Sequence, residues 1–538
     1  MQASFAPARP PSPVFMSWMT TALACPARGR QFTVVSADAL AVGARNWAGR
    51  AAAEVGATSV LSVNSVDLAA VTAAVRAVDP EGEHVTPVAV VSPTGQGGTT
   101  TVAVVPDAFR RIALWPGVAV STLAWDRLTA PTAPPLLLTG TRIAYHVEAS
   151  AISVVTPAIQ QPPTSLALGL RVVRPDGTVD TVALGTLPAD GITADQEAAL
   201  SCAEGCRISG IGILAPPNSA AVTGVVTVSG LTVDGRPVEL GGSGSWRDTA
   251  TDDIVVSGTF ADTALTLRYA NNGSDEAFLP HASVPDVVPA LTTSAAAPSA
   301  AGATFGGSFV DGSPLLLSST GSIPFVPGGP PSASLVNLDN LLAQGWRGRG
   351  SAALAAYVDT RDPATLARVT SGLAERGITV SATTYADDVA AAYGRSAAAW
   401  SLQLALAVGI LSLLVAAAGI VVLASTSRRA RSRDYAVLRL VGQRPRSLGL
   451  LAQLETLPVI VVSALLGAAV GLWAAPAAVG MVPLFTSPPP TFPVDLRTAW
   501  TPALLAGLVG LVVLTVVGIV TSRRIARRAD LQRLRETV

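Results

Sequence analysis

SLQLALAVGILSLLVAAAGIVVL, residues 401–423, carries thirteen Leu, Val and Ile side chains and no ionisable group. A helix needs about 20 residues, at ~1.5 Å each, to cross the hydrocarbon core of a bilayer, and this stretch is long enough. Its thirteen branched residues favour insertion by roughly −4 to −8 kcal/mol, at about −0.3 to −0.6 each. Two more runs, Leu450–Ala474 and Thr501–Val520, repeat the pattern. One such run fits the buried helix of a soluble core, but three in succession read as membrane spans. Composition agrees, because 49% of the chain is hydrophobic and only 13% is charged, a low share for a soluble protein.

The charge is unevenly placed although the formal net charge is zero. STSRRARSRDYAVLRLVGQRPRS, residues 425–447, sets seven arginines against one acid between the first two runs, and Arg523, Arg524, Arg527, Arg528, Arg533 and Arg535 follow the third. The connection between the second and third runs has Arg497 alone, beside Asp495. The positive-inside bias therefore places the first loop and the C-terminus in the cytoplasm, with the large N-terminal region outside. Trp400, Trp473 and Trp500 then all fall at the outer interface, as an aromatic belt requires. Gly467 and Gly471 form a G-x-x-x-G suited to close helix packing. The chain has no lysine, so it has no G-x-x-x-x-G-K-[ST] phosphate loop, and any ATP must be bound by a partner. No nucleic-acid partner is expected.

Attraction to anionic headgroups explains the arginines of the first loop. It leaves the apolar face of Tyr435, Val437, Leu438 and Val441 unexplained. RRARSRDYAVLRLVGQRPRSLGLLAQLE (428–455), set between two spans and followed by a third and a basic tail, resembles the FtsX-like permeases of MacB-type ABC transporters. The resemblance covers about the last 140 residues. It places Arg433, Asp434, Tyr435, Leu438, Arg439 and Gly442 in a loop that couples to a cytoplasmic ABC ATPase dimer, with Glu455 as the acid opening the next helix. It further implies a multi-pass cell-membrane protein that is not itself an enzyme, has no cofactor of its own, and works with a second permease module or a second copy. The cargo or target would be a cell-envelope lipid, lipoprotein, peptide or cell-wall hydrolase.

The N-terminal region reads as α+β. A β-α-β pattern spans Thr58–Val91, with Ser65 as the expected helix cap, and a second spans Leu354–Thr384, with Asp362-Pro363 opening its helix and Gly377 ending it. Between them, hairpins turning at Asp176-Gly177 and Asp234-Gly235 predict an all-β sandwich or jelly roll. The expected fold class is thus two β-α-β units flanking an all-β insertion, followed by an all-α domain of three transmembrane helices. The expected divisions are 1–40 (unassigned), 41–140 (first α/β part), 141–280 (β insertion), 281–303 (Pro/Ala/Ser/Thr-rich linker), 304–395 (second α/β part and a stalk helix continuous with the first span) and 396–538 (permease domain).

Cys202 and Cys206, on the oxidising side, read as a small-loop disulfide. His84, His146 and His281 are scattered and suggest no metal site. There is no G-x-S-x-G or H-E-x-x-H motif. The family opens with a membrane helix, and the apolar part of Pro13–Ala27 is too short to span. The sequence therefore suggests a chain lacking that helix, such as the second half of a split or fused permease. The alternatives are an inactive fragment, or a membrane-anchored protein whose β insertion binds wall carbohydrate.

Overall fold

The computed structural model describes residues 28–93, 98–155, 166–188, 190–215, 221–251, 253–261, 263–271, 276–296, 302–347, 350–426, 445–487 and 492–527. Contacts divide the chain into two units: residues 51–389 with 490–492, and residues 1–50, 390–489 and 493–538.

The chain begins, among the described residues, with helix α1 (Arg28–Val55), followed by β1 (Ser59–Val63), α2 (Leu68–Val78), β2 (Val85–Val91), β3 (Thr100–Val104) and α3 (Pro106–Ile112). An all-β run follows: β4 (Leu137–Val155), β5 (Ala167–Val173), β6 (Val179–Thr186), β7 (Ile192–Leu214), β8 (Ala221–Val233), β9 (Arg236–Pro237), β10 (Thr249–Ala250), β11 (Ile254–Ala261), β12 (Ala264–Asn271) and β13 (Glu276–Pro280). Then come β14 (Val288–Thr293), β15 (Thr304–Ser308), β16 (Pro314–Ile323), β17 (Ala333–Asn337), α4 (Leu338–Gln344), β18 (Ala353–Val358), α5 (Pro363–Ala374), β19 (Val380–Tyr385) and α6 (Ala386–Tyr393). The apolar helices α7 (Ala397–Thr426), α8 (Pro445–Met481) and α9 (Trp500–Arg527) end the described chain.

Segments on both sides of the all-β run build one nine-stranded sheet, in the order β15-β16-β14-β17-β3-β2-β18-β1-β19. β17 lies parallel to β3, with Ala333 opposite Thr100, and β1 is held between β18 and β19. The apolar faces of α2 and α5 (Leu68, Val71 and Val75; Leu366, Val369 and Leu373) share one core with this sheet. Asp362 caps α5 by accepting the Thr365 N–H at 2.8 Å, with Pro363 at the first helical position. Gly377 has φ +77° past the helix end, a conformation that favours glycine.

Three local expectations fail. Asp67, not Ser65, caps α2: its carboxylate accepts the Ala70 N–H at 2.8 Å, while the Ser65 hydroxyl accepts the N–H of Asp67. The supposed linker 281–303 contains β14, whose Val288, Ala290 and Leu291 are buried and which pairs with both β16 and β17. The stalk is not continuous with the first span, because α6 ends at Tyr393 and α7 starts at Ala397. Gly394 is a poor helix former, and the Ser396 hydroxyl restarts the helix by accepting the Ala399 N–H at 3.3 Å.

The all-β run forms a ten-stranded sheet that folds over itself. β4 and β7 are 19 and 23 residues long, well beyond the usual 3–10. The first half of β7 pairs with β4, and its second half pairs with β5 and β13. The change of partner comes just after a bulge in which Cys202 and Cys206 oppose Gly140 and Leu138, and the two cysteine sulfurs are bonded. A long strand that bulges and passes between layers makes a sandwich corner. Both layers close on one core, to which β8 and β12 give Val226, Val228 and Leu267, and β5, β7 and β13 give Leu170, Ile211 and Leu279.

Candidate functional site

In the membrane unit, α7, α8 and α9 are each long and apolar enough to cross a bilayer. The expected span Leu450–Ala474 lies wholly within α8, and neither Pro458 nor Pro476 ends the helix. Leu, Val and Ile side chains stay exposed along all three helices, as lipid-facing surfaces require. Trp400, Trp473 and Trp500 are exposed as well.

One stripe of α8 is buried: Ile460, Ala464, Gly467, Gly471, Ala475 and Val479, every third or fourth residue. The predicted glycine pair is thus part of an inward-facing row. On α9 the buried positions include Ala503, Gly510, Leu514, Gly518 and Ser522, and α8 and α9 pack on each other. A Cβ added at Gly518 would lie 2.6 Å from Ile460 Cδ1. Small residues let helix backbones approach where no hydrophobic driving force exists between them.

The region of α1 departs from the expected division of the chain. It was expected to be an unassigned stretch up to residue 40, with the α/β domain starting at 41; instead one helix runs through that boundary and packs in the membrane unit. Thr33 Oγ1 donates to the Gly409 carbonyl of α7 at 2.9 Å, and a Cβ at Gly409 would meet the Thr33 backbone at 2.9 Å. Val42 and Trp47 join Leu402, Val479 and Leu484 in a small core. A helix therefore does stand before the first strand, although it is not among those apolar enough to cross a membrane.

Its polar residues grip the segment between α8 and α9. Asn46 Nδ2 donates to the Asp495 carbonyl, and the Asp495 N–H donates back to Asn46 Oδ1, both at 2.8 Å. Arg45 pairs with the Asp495 carboxylate at 3.2 Å. Trp47 Nε1 donates to the Leu484 carbonyl at 2.8 Å, and Arg50 donates to the Ser487 carbonyl at 2.7 Å. The Arg50 guanidinium also lies 4.9 Å from the Tyr393 ring centre and 4.8 Å from that of Phe485, within cation–π range. Asp38 is fully buried and accepts the Ala499 N–H at 2.6 Å. Asp38, Val42, Asn46 and Arg50 recur every fourth residue, so they share one helix face. That spacing was the available sequence signal.

Of the residues expected to couple to a partner, Arg433, Asp434, Tyr435, Leu438, Arg439 and Gly442 lie outside the described residues. Glu455 falls within α8. The histidines stay apart: His84 contacts Asp359, His146 contacts Asp195, and His281 contacts Ser283.

Residues 406–529 match the protein-family model described as FtsX-like permease C-terminal. The match starts inside α7, takes in the arginine-rich loop and α8, and runs just past α9. No curated protein matches the chain. Three apolar helices of membrane-crossing length coincide with that match, and the C-terminal part of this membrane protein is similar to the C-terminal domain of FtsX-like permeases.

Proposed function

We propose that the chain is the membrane subunit of an ABC-type transporter, and that it transmits force from a separate cytoplasmic ATPase dimer to its own N-terminal domains. The observation that carries this reading is the family match over residues 406–529, which encloses the Arg428–Arg446 loop. In this scheme the loop and C-terminus face the cytoplasm, and ATP binding by the partner closes the ATPase dimer against Asp434, Leu438 and Arg439. The helices then tilt, and the N-terminal domains act on a lipid, lipoprotein, peptide or cell-wall hydrolase in the envelope. A second permease module or a second copy completes the assembly. Neither cofactor nor catalytic group is required of the chain itself, since the partner binds the nucleotide.

The test is purification of the tagged protein from its native membranes, in parallel with a variant lacking residues 427–446. An ABC ATPase that accompanies the intact chain and is lost from the deletion supports the reading. Recovery of the ATPase in equal amounts with both refutes the loop assignment, and its absence from both refutes the transporter. Leu438→Ala and Arg439→Ala are expected to weaken ATPase recovery while leaving membrane insertion intact.

A further inference from the structure

An open cleft of about 580 Å³ lies between α2, the β4–β5–β7 corner and the end of α4. This is within the usual range for small-molecule sites, about 300–1,000 Å³. Its wall is mixed. Leu137, Val173 and Leu342 supply apolar surface, and Leu137 is 68% exposed. Arg76, Arg174 and Arg207 supply positive charge.

Two of these guanidinium groups are already matched, Arg76 by Asp339 at 2.7 Å and Arg174 by Asp180 at 2.5 Å. Arg207 has no carboxylate partner among the described residues. Its Nη2 donates to the Leu342 and Ala343 carbonyls at the end of α4, and its Nε is buried without an acceptor. Among the described residues its Nη1 makes no hydrogen bond, and Arg207 lines the cleft. Burial lowers the pKa of Arg207, yet a guanidinium keeps its charge throughout the physiological range. The side chain is well anchored, because Arg207 stands opposite Leu137 on one side and Val173 on the other, next to the disulfide-bonded Cys206. Glu204, on the bulge, is the one acid on the cleft wall among the described residues and is exposed.

We propose that this cleft binds a small amphiphilic anion, with its carboxylate or phosphate on Arg207 and a short alkyl or acyl chain along Leu137, Val173 and Leu342. The proposal rests on the N-terminal unit alone and is independent of the transporter reading.

The test is calorimetric titration of the full chain in phosphatidylcholine nanodiscs, with empty nanodiscs as the blank. The probes are hexanoate, hexyl phosphate, dihexanoyl phosphatidate, inorganic phosphate and hexylammonium. Saturable binding of hexanoate or hexyl phosphate is expected, with inorganic phosphate much weaker and no binding of hexylammonium. Arg207→Met should weaken hexanoate binding roughly tenfold or more, since a charge-assisted hydrogen bond is lost. Glu204→Gln should tighten it severalfold by removing like charge. Should Arg207→Met fail to fold, Leu137→Glu tests the same cleft from an exposed position and should also weaken binding. Tighter binding of dihexanoyl phosphatidate than of hexyl phosphate assigns the natural ligand to a diacyl lipid; the reverse order assigns it to a free single-chain anion. Absence of saturable binding, equal affinity of hexylammonium, or unchanged affinity in folded Arg207→Met overturns the proposal.

Discussion

Asn46→Ala removes a reciprocal pair of hydrogen bonds. The Asn46 amide both donates to and accepts from the backbone of Asp495, each bond 2.8 Å long. At about 1 kcal/mol net per bond, the loss is ~2 kcal/mol, or about a 30-fold rise in the population of the opened segment. Hydrogen exchange of the full-length protein, followed by mass spectrometry on a peptide covering 492–499, reads this directly. Exchange should accelerate about 30-fold in that peptide, with peptides from the β insertion unchanged. Asn46→Asp keeps the acceptor for the Asp495 N–H and loses the donor, so its effect should be smaller at the Asp495 amide. Exchange unchanged in Asn46→Ala, or equal acceleration in both variants, would show that the Asn46 amide does not hold this segment.

A Cβ at Gly518 would lie 2.6 Å from Ile460 Cδ1, whereas one at Gly419 meets nothing within 4 Å. Gly518→Leu should therefore cost about 1–3 kcal/mol in packing and lower the thermal midpoint in detergent, with Gly419→Leu nearly neutral. The pKa of Glu276 reflects burial, which pushes it up, and the hydrogen bond from Arg347 with the charges of Arg171 and Arg347, which together bring it below its ordinary 4.5. Its stabilising contribution is thus complete above the ordinary carboxylate value and is lost as pH falls through the lowered one. Acid unfolding of Glu276→Gln, followed by tryptophan fluorescence, should lack that part of the pH dependence. Cys202→Ser with Cys206→Ser opens a short loop worth about 2 kcal/mol in the chain-entropy view. The unfolding midpoint of the β insertion should drop accordingly, and dithiothreitol should reproduce the shift in the wild type and do nothing to the double variant.

The apolar helices were legible because three uninterrupted hydrophobic runs have few alternative explanations, and the second β-α-β unit because Asp362-Pro363 and Gly377 mark its helix at both ends. α1 was not legible, since Asp38, Arg45, Asn46 and Arg50 interrupt its apolar pattern. They are tolerated there because Ala499, Asp495 and Ser487, about 440–460 residues away, supply their partners. β14 was hidden by its surroundings: a six-residue strand flanked by Pro, Ala, Ser and Thr looks like connecting chain until its neighbours in the sheet are known. Asp67, like the expected Ser65, is a residue type that suits a helix start, so residue type alone does not single it out. The loop residues from Arg433 to Gly442 lie outside the described residues, so their reading rests on the sequence and the family match.

The interleaved order of the nine-stranded sheet has a consequence for biogenesis. β1 finds both neighbours, β18 and β19, about 300 residues further along the chain, a separation that makes pairing slow. A nascent chain emerging N-terminus first would carry β1 and the outer edges of the β2–β3 pair unpaired until β17, β18 and β19 follow. The β insertion starts at Leu137 and ends at Pro280, which pair with Arg207 and Gly210 of β7 and so bring its two ends close together. Once folded, it replaces a long floppy excursion with a short rigid one and lowers the entropy cost of the final closure. Substitutions that slow folding of the insertion should therefore surface first as aggregation or proteolysis of the nascent N-terminal strands.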